Sequence, residues 1–303
     1  MVKLSKLLAT ISFFVAGTAF SQQTVQIVWP FGPTSASNYV RHIINRANTE
    51  QKKYSFILQD RPGGGGSIAA NIVKKESENK NLALLATSTT FFIRPFIYSK
   101  PGYSLDEFTL IVPLAEVPFA LVTRTDMSLD QLLKKPNATM GTVQVGTTFH
   151  LLSEGFKRAD KPDLNIVPYN SQADYTKDII GGTIDSGLLF ISEAKANPKL
   201  QIQGVTSRLP VSGVRPLRDF GIKAFDDFNL QFLILAPTSM NKETWQELHN
   251  ILIKAMANNE ELQNSLKFDN SLLINVDAKD YNAWYKNRID ITKKFTATIK
   301  IIE

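Results

Sequence analysis

Four stretches of the chain carry residue types and spacings able to hold a small anion. The first is Pro30-Phe-Gly-Pro-Thr-Ser-Ala-Ser-Asn38, which contains Phe31, Pro33, Thr34, Ser35, Ser37 and Asn38. Proline and glycine keep such a loop out of regular structure, and Thr34, Ser35, Ser37 and Asn38 are residue types that begin helices. Free backbone N–H groups at a helix start, reinforced by the helix dipole, form an anion site. An ordinary capped loop is the alternative at this position. The second is Arg61-Pro-Gly-Gly-Gly-Gly-Ser67. It lacks the Lys-Ser/Thr ending of a phosphate-binding loop and the GxGxxG pattern of a dinucleotide site. A tight turn that needs positive φ is the favoured reading.

The third stretch, Thr87-Ser-Thr-Thr90, offers the hydroxyls of Thr87, Ser88 and Thr89. A hydroxyl cluster after a strand donates several hydrogen bonds to a carboxylate without adding charge, although Ser/Thr turns of this kind are common. The fourth is Gly146-Thr-Thr-Phe-His-Leu151, which opens a helix. Thr147 or Thr148 caps it, and His150 either donates to an anion or merely packs and caps. His42 and His249 fall within predicted helices and are read as structural.

Catalytic constellations are missing. The sequence contains neither HExxH nor GxSxG, and its three histidines are far apart, which argues against a metal site. The pairs Asp106-Glu107 and Asp226-Asp227 read as solvated turns, and Asn137-Ala-Thr139 as a coincidental glycosylation sequon. No catalytic residue, metal or cofactor is expected. There is no cysteine, so disulfides, thiol catalysis and a lipid-modified cysteine are all excluded. The 34 basic against 28 acidic residues give a net charge of +6. That excess suits an anionic ligand and equally serves solubility. Basic residues are scattered, without a stripe among aromatics, so nucleic-acid binding is a poor reading.

The elements that must position these loops follow from periodicity. Residues 24–29, 56–58 and 82–86 read as strands, with helical spacing at Tyr39, Val40, Ile43, Ile44 and Ala47 and again over 68–75. The same grammar recurs with strands at 138–141, 166–168, 184–190 and 201–205, and helices at 150–158 and 172–180. Strand–helix alternation of this kind implies parallel sheets with helices on their faces. Residues 108–123 and 230–236 read as crossovers between two lobes. The expected division is a signal peptide over 1–21, lobe I over 22–123 plus 232–303, and lobe II over 124–231. Helical patterns around Leu248–Met256 and Tyr281–Ile289 are expected to pack back on lobe I. The signal peptide rests on Lys3 and Lys6, the apolar run from Leu7 to Phe20 and the small residues Ala19 and Ser21. That run is shorter than the ~20 residues of a spanning helix. A soluble periplasmic product follows, and removal of Lys3 and Lys6 takes its charge from +6 to +4.

In order and spacing, the motifs resemble the substrate-binding proteins of tripartite tricarboxylate transporters, the Bug family. The resemblance spans nearly the whole mature chain. It is carried by Val28-Trp-Pro-Phe31, Asp60-Arg-Pro-Gly-Gly-Gly-Gly-Ser-Ile68, Leu84-Leu-Ala-Thr-Ser-Thr-Thr90, Gly146 to Leu151, Val167-Pro-Tyr169, and Ile180-Gly-Gly-Thr-Ile-Asp185. It implies an α/β, two-lobed type II periplasmic-binding-protein fold, each lobe a doubly wound, mostly parallel sheet. A small organic carboxylate would sit between the lobes, gripped by the first helix loop and by the His150 helix, with Tyr169 and Phe190 in the site. It also implies a monomer that delivers its ligand to membrane permease subunits. This chain departs from the family pattern at Thr34, Ser35 and Asn38 in the first loop, at Asn170 and Ser171, and at Phe91, Phe92 and Phe149. Leu189 stands where some members carry an aspartate that receives an amino group, with Phe190 replacing a polar residue beside it. These swaps point to a ligand without an ammonium group and with an apolar or aromatic body. The alternatives weighed beside this one are an exported hydrolase or transferase on the same fold, using a hydroxyl of Thr87–Thr90 with His150, and a ligand-sensing partner of a sensor kinase.

Overall fold

Strand β1 (Gln23–Trp29) runs parallel between β2 (Tyr54–Asp60) and β3 (Leu82–Ser88). Its last three residues, Ile27, Val28 and Trp29, are all buried, as expected of a strand covered on both faces. The structure, a computed structural model, describes residues 22–31, 35–143, 145–226, 228–297 and 299. The expected signal peptide, and Pro33 and Thr34 of the first loop, lie outside the described residues.

Helix α1 (Ser35–Glu50) links β1 to β2, and α2 (Ser67–Glu78) links β2 to β3. Between β2 and α2, Gly63, Gly64, Gly65 and Gly66 all have positive φ, so the glycine run makes a tight left-handed turn. Helix α3 (Thr90–Ile97) follows β3 directly. Its nearly unbroken apolar sequence and its internal Pro95 hide it from helical periodicity. Strand β4 (Phe108–Val117) then leads through Pro118 into β5 (Phe119–Arg124). A register shift in β4 lies beside Pro113, which has no N–H to give the ladder.

The second unit runs α4 (Leu129–Lys134), β6 (Thr139–Val143), α5 (Thr148–Ala159), β7 (Asn165–Tyr169), α6 (Gln172–Gly181), β8 (Ser186–Phe190), α7 (Ile191–Ala196) and β9 (Leu200–Val205). The chain returns through β10 (Leu230–Pro237), then α8 (Lys242–Met256), α9 (Glu260–Phe268), β11 (Leu272–Leu273) and α10 (Tyr281–Thr296). The six-stranded sheet has the order β11-β4-β10-β3-β1-β2, and the five-stranded sheet β7-β6-β8-β5-β9. The two sheets and their covering helices make two α/β lobes.

Because β5 pairs with β8 and β9, the passage from the first sheet to the second falls at Pro118, ahead of the expected position after residue 123. Strands β10 and β5, which arrive from the other lobe, run antiparallel to their neighbours, and the short β11 is antiparallel to β4. Helices α1, α8 and α9 pack together on one face of the first sheet, and α2, α3 and α10 cover the other. One apolar cluster runs without a break from Val117 and Ile234 in lobe I to Phe119, Met140 and Phe156 in lobe II. The end of α10 also reaches α5, where Phe295 lies against Gly155 and stacks on Phe228 with ring centres 5.0 Å apart.

Candidate functional site

Thr89 and Thr90 open α3 at the carboxyl end of β3, and Thr148 opens α5 after β6. The Thr148 hydroxyl lies 3.1 Å from those of both Thr89 and Thr90, so the hydroxyl loop of lobe I meets the second helix start of lobe II directly. All three residues are buried. Thr89 is held from behind by the returning hinge strand: its N–H donates to the Gln231 carbonyl at 2.9 Å, and its hydroxyl donates to the Asn229 carbonyl at 3.3 Å. Ser88 is also buried and accepts the Thr90 N–H at 3.3 Å. Thr87, buried within β3, sits opposite Leu233 of β10. Thr90 belongs to the motif read from the sequence but was not among its expected ligand groups; contact across the lobes is what singles it out.

Gly146 and Thr147 shape the approach to α5. Gly146 has φ +86°, and a Cβ there would lie 2.9 Å from Ile97 Cδ1 and 3.1 Å from the Tyr98 ring. Only a glycine lets this loop sit so close to the end of α3. Thr147 is the cap of α5: its hydroxyl accepts the His150 N–H at 3.3 Å and donates to the Val143 carbonyl at 2.9 Å.

His150 is turned into its own turn of chain. Its Nδ1 accepts the Gly146 N–H at 3.5 Å, and its Nε2 lies 3.6 Å from Glu154. Burial lowers its pKa below the ordinary histidine value, with Glu154 pulling weakly the other way. His150 is thus engaged within its own turn of chain, and among the described residues its ring hydrogen-bonds none of the Thr87–Thr90 hydroxyls.

At the first loop, β1 and β3 are neighbours, so α1 and α3 begin side by side at one sheet edge. Ser37 is buried and Asn38 exposed. Ser35 begins α1. The Phe31 ring packs edge-on against Trp29 at 5.2 Å. None of α1, α3 and α5 has an acidic residue in its first turn, a feature they share with α2 and α10, whereas α4, α6, α7, α8 and α9 each have at least one. The three helix starts at the junction of the lobes thus keep their positive dipole ends unneutralised, which favours an anion.

Aromatic rings form the neighbouring wall. Phe119 lies 4.5 Å from Phe149 and 5.4 Å from Phe190. Leu189 does not belong here. Alternation along β8 turns it into the core of lobe II with Ala120 and Tyr175, leaving Phe190 on the other side. Phe91 and Phe92 are likewise lobe I core: Phe91 stacks on Tyr103 at 4.6 Å, and Phe92 meets Tyr285 at 5.2 Å. The Tyr169 hydroxyl donates to Asp178 at 2.6 Å within lobe II, and partial burial together with that bond pushes its pKa up to about 12.

The chain matches the profile of the tripartite tricarboxylate transporter family receptors over residues 40–301. BugT of Bordetella pertussis is 24% identical over 205 residues, covering 60% of this chain and 62% of BugT. The chain thus spans about three-fifths of the length of the curated relatives it matches. Among solved structures, R. palustris Rpa4515 with adipate superposes with a TM-score of 0.74 at 20% identity, covering 91% of this chain and 97% of that one. MatC (Rpa3494) from Rhodopseudomonas palustris with bound malate gives 0.72 at 17% identity, covering 90% and 98%. The profile covers most of the sequence and the two-lobed fold agrees with it: the chain belongs to the tripartite tricarboxylate transporter receptors, the Bug family.

Proposed function

We propose that this chain is an exported, monomeric solute receptor that captures a small aliphatic dicarboxylate between its lobes and presents it to the permease subunits of a tripartite transporter. The observation that carries the reading is the meeting of Thr89 and Thr90 with Thr148 across the lobes, at helix starts that carry no first-turn acid. Hydroxyls and helix N–H groups bind carboxylate oxygens without a buried counter-ion. The partly buried rings of Phe149 and Phe190, backed by the buried Phe119, suit a hydrocarbon body, and no carboxylate stands in the first turn of α3 or α5 to receive an ammonium group. Adipate and malate, bound by the two R. palustris proteins, belong to this class. Within it, Phe31, Ser37, Asn38, Gly146 and Thr147 line the grip. Closure joins the two half-sites and excludes water. No helix among the described residues is long and apolar enough to cross a membrane.

Engagement of His150 with Gly146 and Glu154 supports capture without chemistry at the lobe junction, since among the described residues its ring hydrogen-bonds none of the Thr87–Thr90 hydroxyls. Titration calorimetry with adipate, malate, benzoate and 2-aminoadipate tests the reading. Micromolar binding corresponds to roughly 8 kcal/mol. The expected result is binding of adipate or malate, weakened in Thr148→Val. Preference for 2-aminoadipate over adipate, with the same dependence on Thr148, overturns it.

A further inference from the structure

Behind the hinge lies a cavity of about 1050 Å³ that contains none of the expected ligand-loop residues. Its walls come from the far edge of each sheet. In lobe I they are built around β4 and β11, on the side of β10 away from β1; in lobe II by residues 207–212, which follow the outer strand β9. It therefore lies across the hinge strands from the α1, α3 and α5 starts. Its mouth is bridged between the lobes, where the Ser212 hydroxyl donates to the Asn270 side-chain oxygen.

The floor of this cavity has more acceptors than donors. Glu116 accepts the Asn229 side-chain amide at 2.9 Å through one oxygen and the Gln231 amide at 2.8 Å through the other. A carboxylate cannot donate, so it fixes both amides with their NH₂ groups toward it. Their oxygens, Asn229 Oδ1 and Gln231 Oε1, are buried, and no protein group donates to either. Asn229 is 8% exposed and Gln231 5%. No lysine or arginine pairs with Glu116 among the described residues. A buried acceptor without a donor is costly, and a carboxylate beside two such acceptors favours an ammonium group. The outer wall carries the opposite sign, with Lys267 and Arg288 on α9 and α10.

We propose that this hinge cavity is a second ligand site, taking a small zwitterion with its ammonium group toward Glu116, which Asn229 and Gln231 hold in place, and its carboxylate toward Lys267 and Arg288. This inference rests on the fold and is independent of what the front cleft binds. Calorimetry of the full chain with 4-aminobutyrate, butylamine and butyrate tests it, in the absence and presence of saturating adipate. The expected order is 4-aminobutyrate tightest and butyrate weakest, with 4-aminobutyrate still binding beside adipate. Glu116→Gln should weaken 4-aminobutyrate by about tenfold or more, the loss of charge-assisted hydrogen bonds. Leu209→Trp places a bulky ring at the cavity wall from a residue that is 71% exposed, and should block the same binding without disturbing the floor. Equal binding of all three probes, strict competition with adipate, or unchanged 4-aminobutyrate affinity in both variants overturns the proposal. If Glu116→Gln fails to fold, Leu209→Trp decides alone.

Discussion

The hydroxyl of Thr89 stands 3.1 Å from the hydroxyl of Thr148, so the starts of α3 and α5, in different lobes, touch through side chains of one chemical type. Thr89 is also bonded to the backbone of Asn229 and Gln231 on the returning hinge strand. The contact between lobes and the hinge that controls it therefore share one residue.

Thr148→Val keeps the shape of the side chain and removes only its hydroxyl. Each hydrogen bond contributes about 0.5–1.5 kcal/mol net. We expect adipate affinity to fall roughly three- to tenfold, with a much smaller change in the urea midpoint of the free protein. Calorimetry and equilibrium unfolding measure the two. Unchanged affinity would mean that the Thr148 contact does not hold the closed cleft.

Gly146 and Gly213 make a matched pair. Both have positive φ, +86° and +79°, but an added Cβ meets Ile97 at 2.9 Å in the first case and nothing within 4 Å in the second. Alanine at either position costs about 1–2 kcal/mol of backbone strain. Only Gly146→Ala should also push the lobe II loop off Ile97 and Tyr98 and weaken adipate binding, by about tenfold. Equal binding losses in the two variants would show that the close approach at Gly146 is irrelevant to capture.

The aromatic wall divides by burial. Phe119 is 0% exposed, while Phe149 and Phe190 are only partly buried. Phe119→Ala should cost about 3–5 kcal/mol of stability. Phe149→Ala and Phe190→Ala should cost about 1–2 kcal/mol each, in proportion to the area they bury. Urea denaturation ranks them. A larger loss at Phe190 than at Phe119 contradicts the packing described.

His150 makes stability depend on pH. Burial depresses its pKa in the folded chain below the ordinary 6.5. The unfolded chain therefore binds more protons just below 6.5, and stability rises with pH through the interval from the folded value up to 6.5. The contribution is complete above that interval and is lost as pH falls through it. His150→Gln should flatten this part of the curve. A wild-type slope that survives the substitution places its origin in another group.

Much of the site was legible because it is local. Gly146, Thr147 and Thr148 announce a helix start by residue type, and Thr147 does accept the His150 N–H. Glycines 63–66 announce a left-handed turn, and all four adopt positive φ. Leu189 and Phe190 mark the limit of such local reading. Successive residues of a strand face opposite ways, and residue types alone do not say which of Leu189 and Phe190 turns inward. The burial of Phe91 and Phe92 is not legible locally, because Pro95 hides the helix that carries them.

Strand–helix alternation, two α/β units and the helix starts after β1 and β6 were determined by the sequence alone, because each depends on neighbours within a few positions. The tertiary structure alone decided that Thr89 and Thr90 meet Thr148, 58 and 59 residues away in sequence. It also decided that Glu116 gathers Asn229 and Gln231, more than a hundred residues distant, into the floor of a hinge cavity. Such pairs arise from how two sheets dock about their crossing strands. Side-chain alternation and helix caps fix the strands and helices, but the angle between lobes is set by packing at β4, β5 and β10, which no local pattern encodes.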